Sequence, residues 1–316
     1  MTRLTMPSSS TILLLLFTLL VAKNSYAQPF TLMSWNMQWL STKPTSPIIR
    51  SAADYQALQQ LFITYSPDIL AFQEVDSADA LYQIIDHHQY QIYFSDRIHS
   101  PQDRFKINNQ YTGFAVKRHI VVDDIADLSQ LSSPAVTSDN IRPFKNKLRY
   151  GSVIKIIINK QPIIILNLHL KSGCFTNKQL SKQRSKSCKT LAQQLFLIKQ
   201  WVKKSQQHKS QSLIIVGDIN HQIIDNQQFI DKITDNSTKI HRLSAAINAN
   251  CTVKLATPKY RYRTYHKLID HLFATTNITA ISQHQIQYNK QQLSQHTLSD
   301  HCPLLFTLSI NLIDNT

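Results

Sequence analysis

The sequence predicts an α/β fold, and three observations carry that prediction. Short apolar, β-branched runs recur along the 316 residues, each long enough for a buried strand and too short for a helix. Stretches with helical apolar spacing lie between several of them, the alternation expected of α/β architecture. The runs also end repeatedly on a carboxylate, amide or imidazole. Leu213-Ile214-Ile215-Val216-Gly217-Asp218-Ile219-Asn220 is the clearest case. Its apolar residues read as a strand, Gly217 lets the backbone turn, and Asp218 and Asn220, two residues apart, point to one side.

In chain order, Phe30 to Asn36 alternates and delivers Asn36 to an edge of the fold. Residues 51–65 have helical spacing (Tyr55, Leu58, Leu61, Phe62, Tyr65), with Ser51 as cap and Pro67 as stop. Asp68 to Glu74 is a second strand with Glu74 at its end. A short helix over 78–87 and strands near 90–94 and 111–116 follow. Residues 123–146, rich in Ser, Asp, Asn and Pro, read as a surface excursion. Two apolar runs, 151–158 and 162–168, flank Asn159-Lys160-Gln161 as a hairpin, and the second leads into His169 with Lys171 on the same face. A loop from Cys174 to Lys189 carries Lys178, Lys182, Arg184, Lys186 and Lys189 with no acid, and a helix to about Lys203 leads into the Gly217-Asp218 strand. Lys259 to Lys267 interleaves cations with Tyr260, Tyr262 and Tyr265 around Arg263, as a phosphate-holding, base-stacking groove does, or a solvated strand face. Asp270 lies inside the next strand, and Ser299-Asp300-His301 precedes the last, 303–308.

Arg3, an apolar run from Ile12 to Ala22 and Ser25-Tyr26-Ala27 match a signal peptide over residues 1–27, with no transmembrane anchor left after cleavage. Cleavage removes Arg3 and Lys23 and no acid, leaving 32 basic against 19 acidic side chains, a net +13 in place of +15. The remaining residues, 28–316, suit one catalytic domain, expected to act as a monomer, secreted or periplasmic. The basic excess fits a polyanionic partner, although a genome that enriches Lys, Asn and Ile would give the same excess without one. Four cysteines allow three pairings. Cys174–Cys188, bracketing a short polar loop, is the expected bridge, while Cys251 and Cys302 could form a second or leave Cys302 a buried thiol. No cysteine pair or histidine cluster suggests zinc.

Trp35-Asn36, Gln73-Glu74-Val75, His169-Leu170, Gly217-Asp218-x-Asn220, Ile269-Asp270 and Ser299-Asp300-His301 occur in this order. Together they resemble the endonuclease/exonuclease/phosphatase superfamily, in its deoxyribonuclease I-like branch, over about Phe30 to Leu308. The resemblance implies a four-layered α/β/β/α sandwich of two mixed β-sheets flanked by helices, and Mg²⁺-dependent phosphodiester hydrolysis, with Mn²⁺ or Ca²⁺ able to substitute or assist. It implies Glu74 as chief metal ligand, Asn36 and Asp300 close to metal and phosphate, and Asp218 and Asn220 orienting water and phosphate. His301, supported by Asp270, and His169 would form a base–acid pair, and Arg149 would contact phosphate. The glutamate that supports the equivalent of His169 in deoxyribonuclease I is replaced here by Asn108-Asn109-Gln110. Val216 and His221-Gln222 argue against the inositol phosphatases, and His169 against the abasic-site nucleases. Lys171, Lys182, Arg184, Tyr262 and Arg263 complete the expected substrate groove. The expected activity is a nuclease of low sequence specificity with DNA as partner. A sphingomyelinase-like phospholipid phosphodiesterase is the alternative with the same chemistry, and an inactive toxin-like binding module the alternative without it.

Overall fold

The computed structural model describes residues 28–133, 147–174, 180, 183–206, 211–235, 238–255 and 261–311. The expected leader, Lys178, Lys182 and Tyr260 lie outside these residues. The described strands are β1 (Phe30–Leu40), β2 (Ile69–Val75), β3 (Tyr90–Phe94), β4 (Tyr111–Lys117), β5 (Val121–Asp124), β6 (Ser152–Ile158), β7 (Gln161–His169), β8 (Ser212–Asp218), β9 (Ile240–Arg242), β10 (Cys251–Lys254), β11 (Tyr262–Tyr265), β12 (Asp270–Thr275), β13 (Ile278–Gln285) and β14 (Leu304–Ile310). The helices are α1 (Ala52–Tyr65), α2 (Ala78–Tyr82), α3 (Lys186–Ser205), α4 (Asn226–Ile233) and α5 (Lys290–Gln295).

Two six-stranded mixed sheets, ordered β13-β14-β1-β2-β4-β3 and β5-β6-β7-β8-β12-β9, pack face to face. Period-two alternation divides each strand between two cores. Leu32, Ile69 and Ala71 meet Ile163, Ile165, Ile214 and Val216 between the sheets. Met33, Trp35, Leu70 and Phe72 face outward onto α1, while Leu166, Leu213 and Ile215 face α3 and α4. Helices therefore cover both outer faces, which is the expected four-layered sandwich.

Ser51 caps α1 through a full capping box with Asp54. Ser66, at φ 37°, ends that helix one residue before Pro67. Tyr65, expected on the buried stripe, is instead 37% exposed at the helix end. The second helix stops at Tyr82 rather than near His87, in turns closed by Ile84 and Ile85 amides on the Leu81 carbonyl. Asn159 and Lys160, both at positive φ (51° and 65°), make the two-residue hairpin between β6 and β7. Part of the supposed excursion is β5, paired with β6; residues 134–146 lie outside the described set. Both disulfides are present, Cys174–Cys188 and Cys251–Cys302, so Cys302 is not a free thiol. Among the described residues no helix is long and apolar enough to cross a membrane.

Candidate active site

Every motif that ends a strand arrives at one end of the sandwich, and the strand register explains why. The parallel pairing of β7 with β8 sets His169 beside Asp218, and the antiparallel pairing of β8 with β12 sets Asp218 beside Asp270. Three chemically active side chains thus stand in a row on adjacent strands. Asp218 and Asn220 do share a face, but through a turn rather than the pleat. The strand stops at Asp218, Asn220 takes φ 55°, and its backbone N–H donates to Asp218 Oδ1 at 2.8 Å. Asn220 Nδ2 also donates to Asp218 Oδ2 (3.0 Å) and to the Leu170 carbonyl (3.1 Å).

The other sheet contributes Asn36 and Glu74. Parallel pairing of β1 with β2 runs regularly to Asn36 opposite Gln73, then slips until Leu40 meets Val75. The irregularity holds three residues in the left-handed region: Gln38 (φ 45°), Trp39 (φ 52°) and Glu74 (φ 60°). Non-glycine residues rarely adopt such φ, and when packing enforces it the cost is commonly met at functional sites. The bulge turns Glu74 toward Asn36, whose Nδ2 donates to Glu74 Oε1 at 3.3 Å and, across the sheets, to Asp218 Oδ2 at 3.0 Å. Trp39 N–H donates to Glu74 Oε2 at 3.1 Å.

His301 Nδ1 donates to Asp270 Oδ2 at 2.7 Å, and its Nε2 faces Asp218 Oδ2 at 3.9 Å. Burial alone would lower the His301 pKa, but Asp270 and Asp218 outweigh it and hold the ring well above the usual histidine range. Burial raises the Asp218 carboxyl, with His301 opposing. His169 behaves oppositely: burial first, then Arg149, keep it well below the usual range. Arg149 contacts His169 Nε2 directly. The same Nε2 stands 3.5 Å from Glu74 Oε1 and 3.5 Å from Asp218 Oδ2, so the guanidinium and both carboxylates crowd that side of the ring and leave Nδ1 on the other. No carboxylate orients that Nδ1, which finds no partner among the described residues. Asn109, in the segment at the glutamate's place, instead bonds Phe105 through its amide and Asp76 through its backbone. Burial also lowers Arg149, against the pull of Glu74 and Asp218. Asp300 opens to solvent, yet the protein mass around it raises its carboxyl, and Glu74 repels it further.

Among the described residues, the ligand-type atoms here that lie within 4.8 Å of one another belong to Asp218, Asp270 and His301. Asp270 and His301 already bond each other, Asp218 Oδ2 accepts from Asn36 and Asn220, and Asp270 Oδ1 has no partner among the described residues. Glu74, Asn36 and Asp300 offer hard oxygen donors beside them, with Asp300 N–H held by Gln38 Oε1 at 3.1 Å.

A cleft of about 480 Å³ opens beside Asp270, Asp300 and His301, walled by Arg263, Tyr265 and Lys267. Its wall is the β10–β11 ribbon, which Cys251 ties to Cys302, the residue after His301. Arg263 lies 4.9 Å over the Tyr265 ring. Tyr262, expected to stack bases, is on the ribbon but not on the cleft wall, because strand alternation sends positions 263 and 265 to one face and 262 to the other. Lys171 is close enough to Arg149 to be lowered by burial and by that charge, while Arg184 is exposed ahead of α3 and does not line the cleft.

Sequence reasoning gave no role to Asn167 or Arg50, and none to the amide of Gln73. Asn167, fully buried, donates to the Phe72 and Gly113 carbonyls (2.8 Å each) and accepts from Gln73 Nε2 at 2.7 Å. This triple bond ties the two sheets together one residue behind Glu74. The available signal was an amide inside an apolar run; Arg50 carried none.

With this geometry in view, the model of the Endonuclease/Exonuclease/phosphatase family matches residues 33–301. The chain belongs to the endonuclease/exonuclease/phosphatase family. Members of this family are metal-dependent hydrolases of phosphoesters. Its fold is shared with truncated Caenorhabditis elegans TDP2 at TM-score 0.57 and 16% identity, over 89% of this chain and 98% of that one. D. rerio TDP2 complexed with a single-strand DNA product gives 0.58 and 15%, over 89% and 99%. Mannosyl-6-phosphatase Bt3783 of Bacteroides thetaiotaomicron gives 0.58 and 16%, over 88% and 99%. No curated protein matches the chain by sequence.

Proposed function

We propose that the protein is an exported, divalent-metal-dependent phosphodiesterase that cleaves nucleic acid, with DNA as the preferred substrate. The observation that carries this reading is the convergence of Asn36, Glu74, Asp218, Asp270 and His301 at one end of the sandwich, joined across the sheets by the Asn36–Asp218 bond of 3.0 Å. The mature charge of +13 and the Arg263–Tyr265–Lys267 wall support a polyanion with stackable rings. One fold relative was solved with a DNA product, although another is a sugar-phosphate phosphatase. The leader motif and two disulfides support export.

Glu74, Asn36 and Asp300 would hold the cation. When bound, Mg²⁺, or Mn²⁺ or Ca²⁺ in its place, neutralises charge on the non-bridging phosphate oxygens. The remaining chemistry belongs to the chain. Asp270 fixes the His301 ring, and Asn220 fixes the Asp218 carboxylate. His301, fixed by Asp270 at 2.7 Å, and Asp218, whose Oδ2 stands 3.9 Å from His301 Nε2, are the two groups placed to receive the proton of the attacking water. The carboxylate can take it while the ring is charged, the ring only once it has given up its own. His169, kept neutral by burial, packs against Arg149, whose fixed positive charge offsets the charge that builds on the phosphate.

The test is incubation of purified mature protein with DNA, RNA and sphingomyelin in each divalent ion. Acid-soluble nucleotides from DNA are expected. Choline-phosphate release without nucleotide release would overturn the nucleic-acid reading.

A further inference from the structure

Arg50 lies outside all the motifs, yet its side chain is 7% exposed and spends its donors on main-chain carbonyls at the site. Nη2 donates to Met37 (3.1 Å), Gln38 (3.0 Å) and Leu298 (2.8 Å), Nε to Thr297 (3.1 Å), and Nη1 to Trp39 (3.4 Å). These carbonyls come from two loops. One is the bulge after Asn36, with Gln38 and Trp39 in the left-handed region. The other leads directly into Ser299-Asp300-His301. A planar guanidinium with five donors can bridge two such loops; an ammonium with three donors cannot reproduce that fork.

What the clamped loops carry makes the clamp functional. Gln38 N–H donates to Asn36 Oδ1 (3.0 Å) and Gln38 Oε1 accepts from Asp300 N–H (3.1 Å). Trp39 N–H holds Glu74 Oε2 at 3.1 Å. Ser299 Oγ donates to the Asn36 carbonyl at 2.6 Å and accepts from His301 N–H at 3.0 Å. Each of Asn36, Glu74 and Asp300 is thus oriented by a group within one residue of a carbonyl that Arg50 holds. Backbone in the left-handed region persists only where its surroundings enforce it, and among the described residues Arg50 is the side chain that bonds all three carbonyls from Met37 to Trp39.

We propose that Arg50 is a positioning residue for cation binding: its guanidinium locks the 37–39 bulge to the loop before Asp300, and so sets the spacing of Glu74, Asn36 and Asp300. The proposal rests on the metal-dependent reading above. It requires the clamp to affect ion affinity and not merely stability.

Mn²⁺ binding by isothermal titration calorimetry separates these roles, using wild type, Arg50→Lys, Arg50→Gln and Asp68→Asn. Asp68 holds Thr31 (2.8 Å) and Lys117 (3.0 Å) near the far end of β1 and β2, so its variant loosens the same strands away from the site. Both Arg50 variants are expected to bind Mn²⁺ at least tenfold more weakly, Arg50→Lys less severely, while Asp68→Asn melts lower and binds within twofold of wild type. Wild-type affinity in Arg50→Lys and Arg50→Gln, whatever their melting temperatures, overturns the proposal. A second measurement needs no variant. Coupling between sites is reciprocal, so saturating Mg²⁺ must slow hydrogen exchange at Arg50 Nε and the Trp39 amide of the wild type about tenfold. Unchanged exchange in an Mg²⁺-bound protein overturns the proposal even if no Arg50 variant folds. A wild type that binds no divalent ion defeats the metal-dependent reading itself, a different outcome.

Discussion

Asn167→Ala should damage both stability and activity. Asn167 is fully buried between the sheets and makes three hydrogen bonds of 2.7–2.8 Å, to Gln73 Nε2 and the Phe72 and Gly113 carbonyls. Truncation removes all three and leaves the Gln73 Nε2 only its bond to the Ala71 carbonyl (3.0 Å), with Oε1 already lacking a partner among the described residues. A buried polar group left without a partner costs about 1–3 kcal/mol. Three coupled groups do not add fully, which brings the expected loss to about 3–5 kcal/mol. Gln73 immediately precedes Glu74, so relaxation of the seam also shifts Glu74, and kcat should fall in the variant under conditions where it remains folded. Equilibrium urea unfolding measures the first effect and steady-state kinetics below the unfolding transition the second. A loss under about 1 kcal/mol with wild-type kcat would refute the claim that this seam holds the site together.

Three further outcomes follow from the same geometry. Gly217, at φ 125°, is placed so that a Cβ would strike the Leu168 carbonyl oxygen of the paired strand, so Gly217→Ala should cost roughly 2–5 kcal/mol in urea unfolding; a near-neutral result would mean that β7 and β8 can part freely. Burial pushes His271 from 6.5 down to about 3, with Nε2 donating to the His221 carbonyl and Nδ1 facing Ser244 Oγ. The unfolded chain therefore binds a proton below pH 6.5 that the fold refuses: this stabilisation is whole above pH 6.5 and declines as pH falls toward 3, by about 2 kcal/mol at pH 5. His271→Gln should flatten urea stability over that window, and an unchanged slope would show that the ring is not held neutral. His301→Ala should lower kcat about 10²–10⁴-fold, measured below a melting temperature that also drops because Asp270 loses its buried partner, and a rate within a few-fold of wild type would remove His301 from the proton machinery.

What could be read from the sequence was whatever leaves a local pattern. The strand-end oxygens were legible because buried strands of one sandwich deliver their ends to one place, and Ser51 because a capping box is local. The hairpin was legible too, since Asn-Lys between two apolar runs can only turn. β13 was not, because this edge strand buries fully only Ile278 and presents polar side chains outward. α4 and α5 escaped for want of length. The shared face of Asp218 and Asn220 was right for the wrong reason, a left-handed turn rather than a pleat. Tyr262 was misplaced because an aromatic-basic run does not reveal which of its alternating faces meets the cleft. Arg50 was invisible in principle, since its partners are main-chain carbonyls, one pair of them nearly 250 positions away, that carry no side-chain signature.

The central claim, that a cation held at Glu74 drives phosphodiester cleavage, is tested most directly by Mg²⁺ titration of DNA hydrolysis in wild type and Glu74→Gln. The substitution keeps shape and removes charge, so the variant should fold with a wild-type melting temperature. Its rate at saturating Mg²⁺ should fall by about 10²-fold or more, and EDTA should abolish wild-type activity. DNA cleavage that persists undiminished in EDTA, or in Glu74→Gln, would contradict the account.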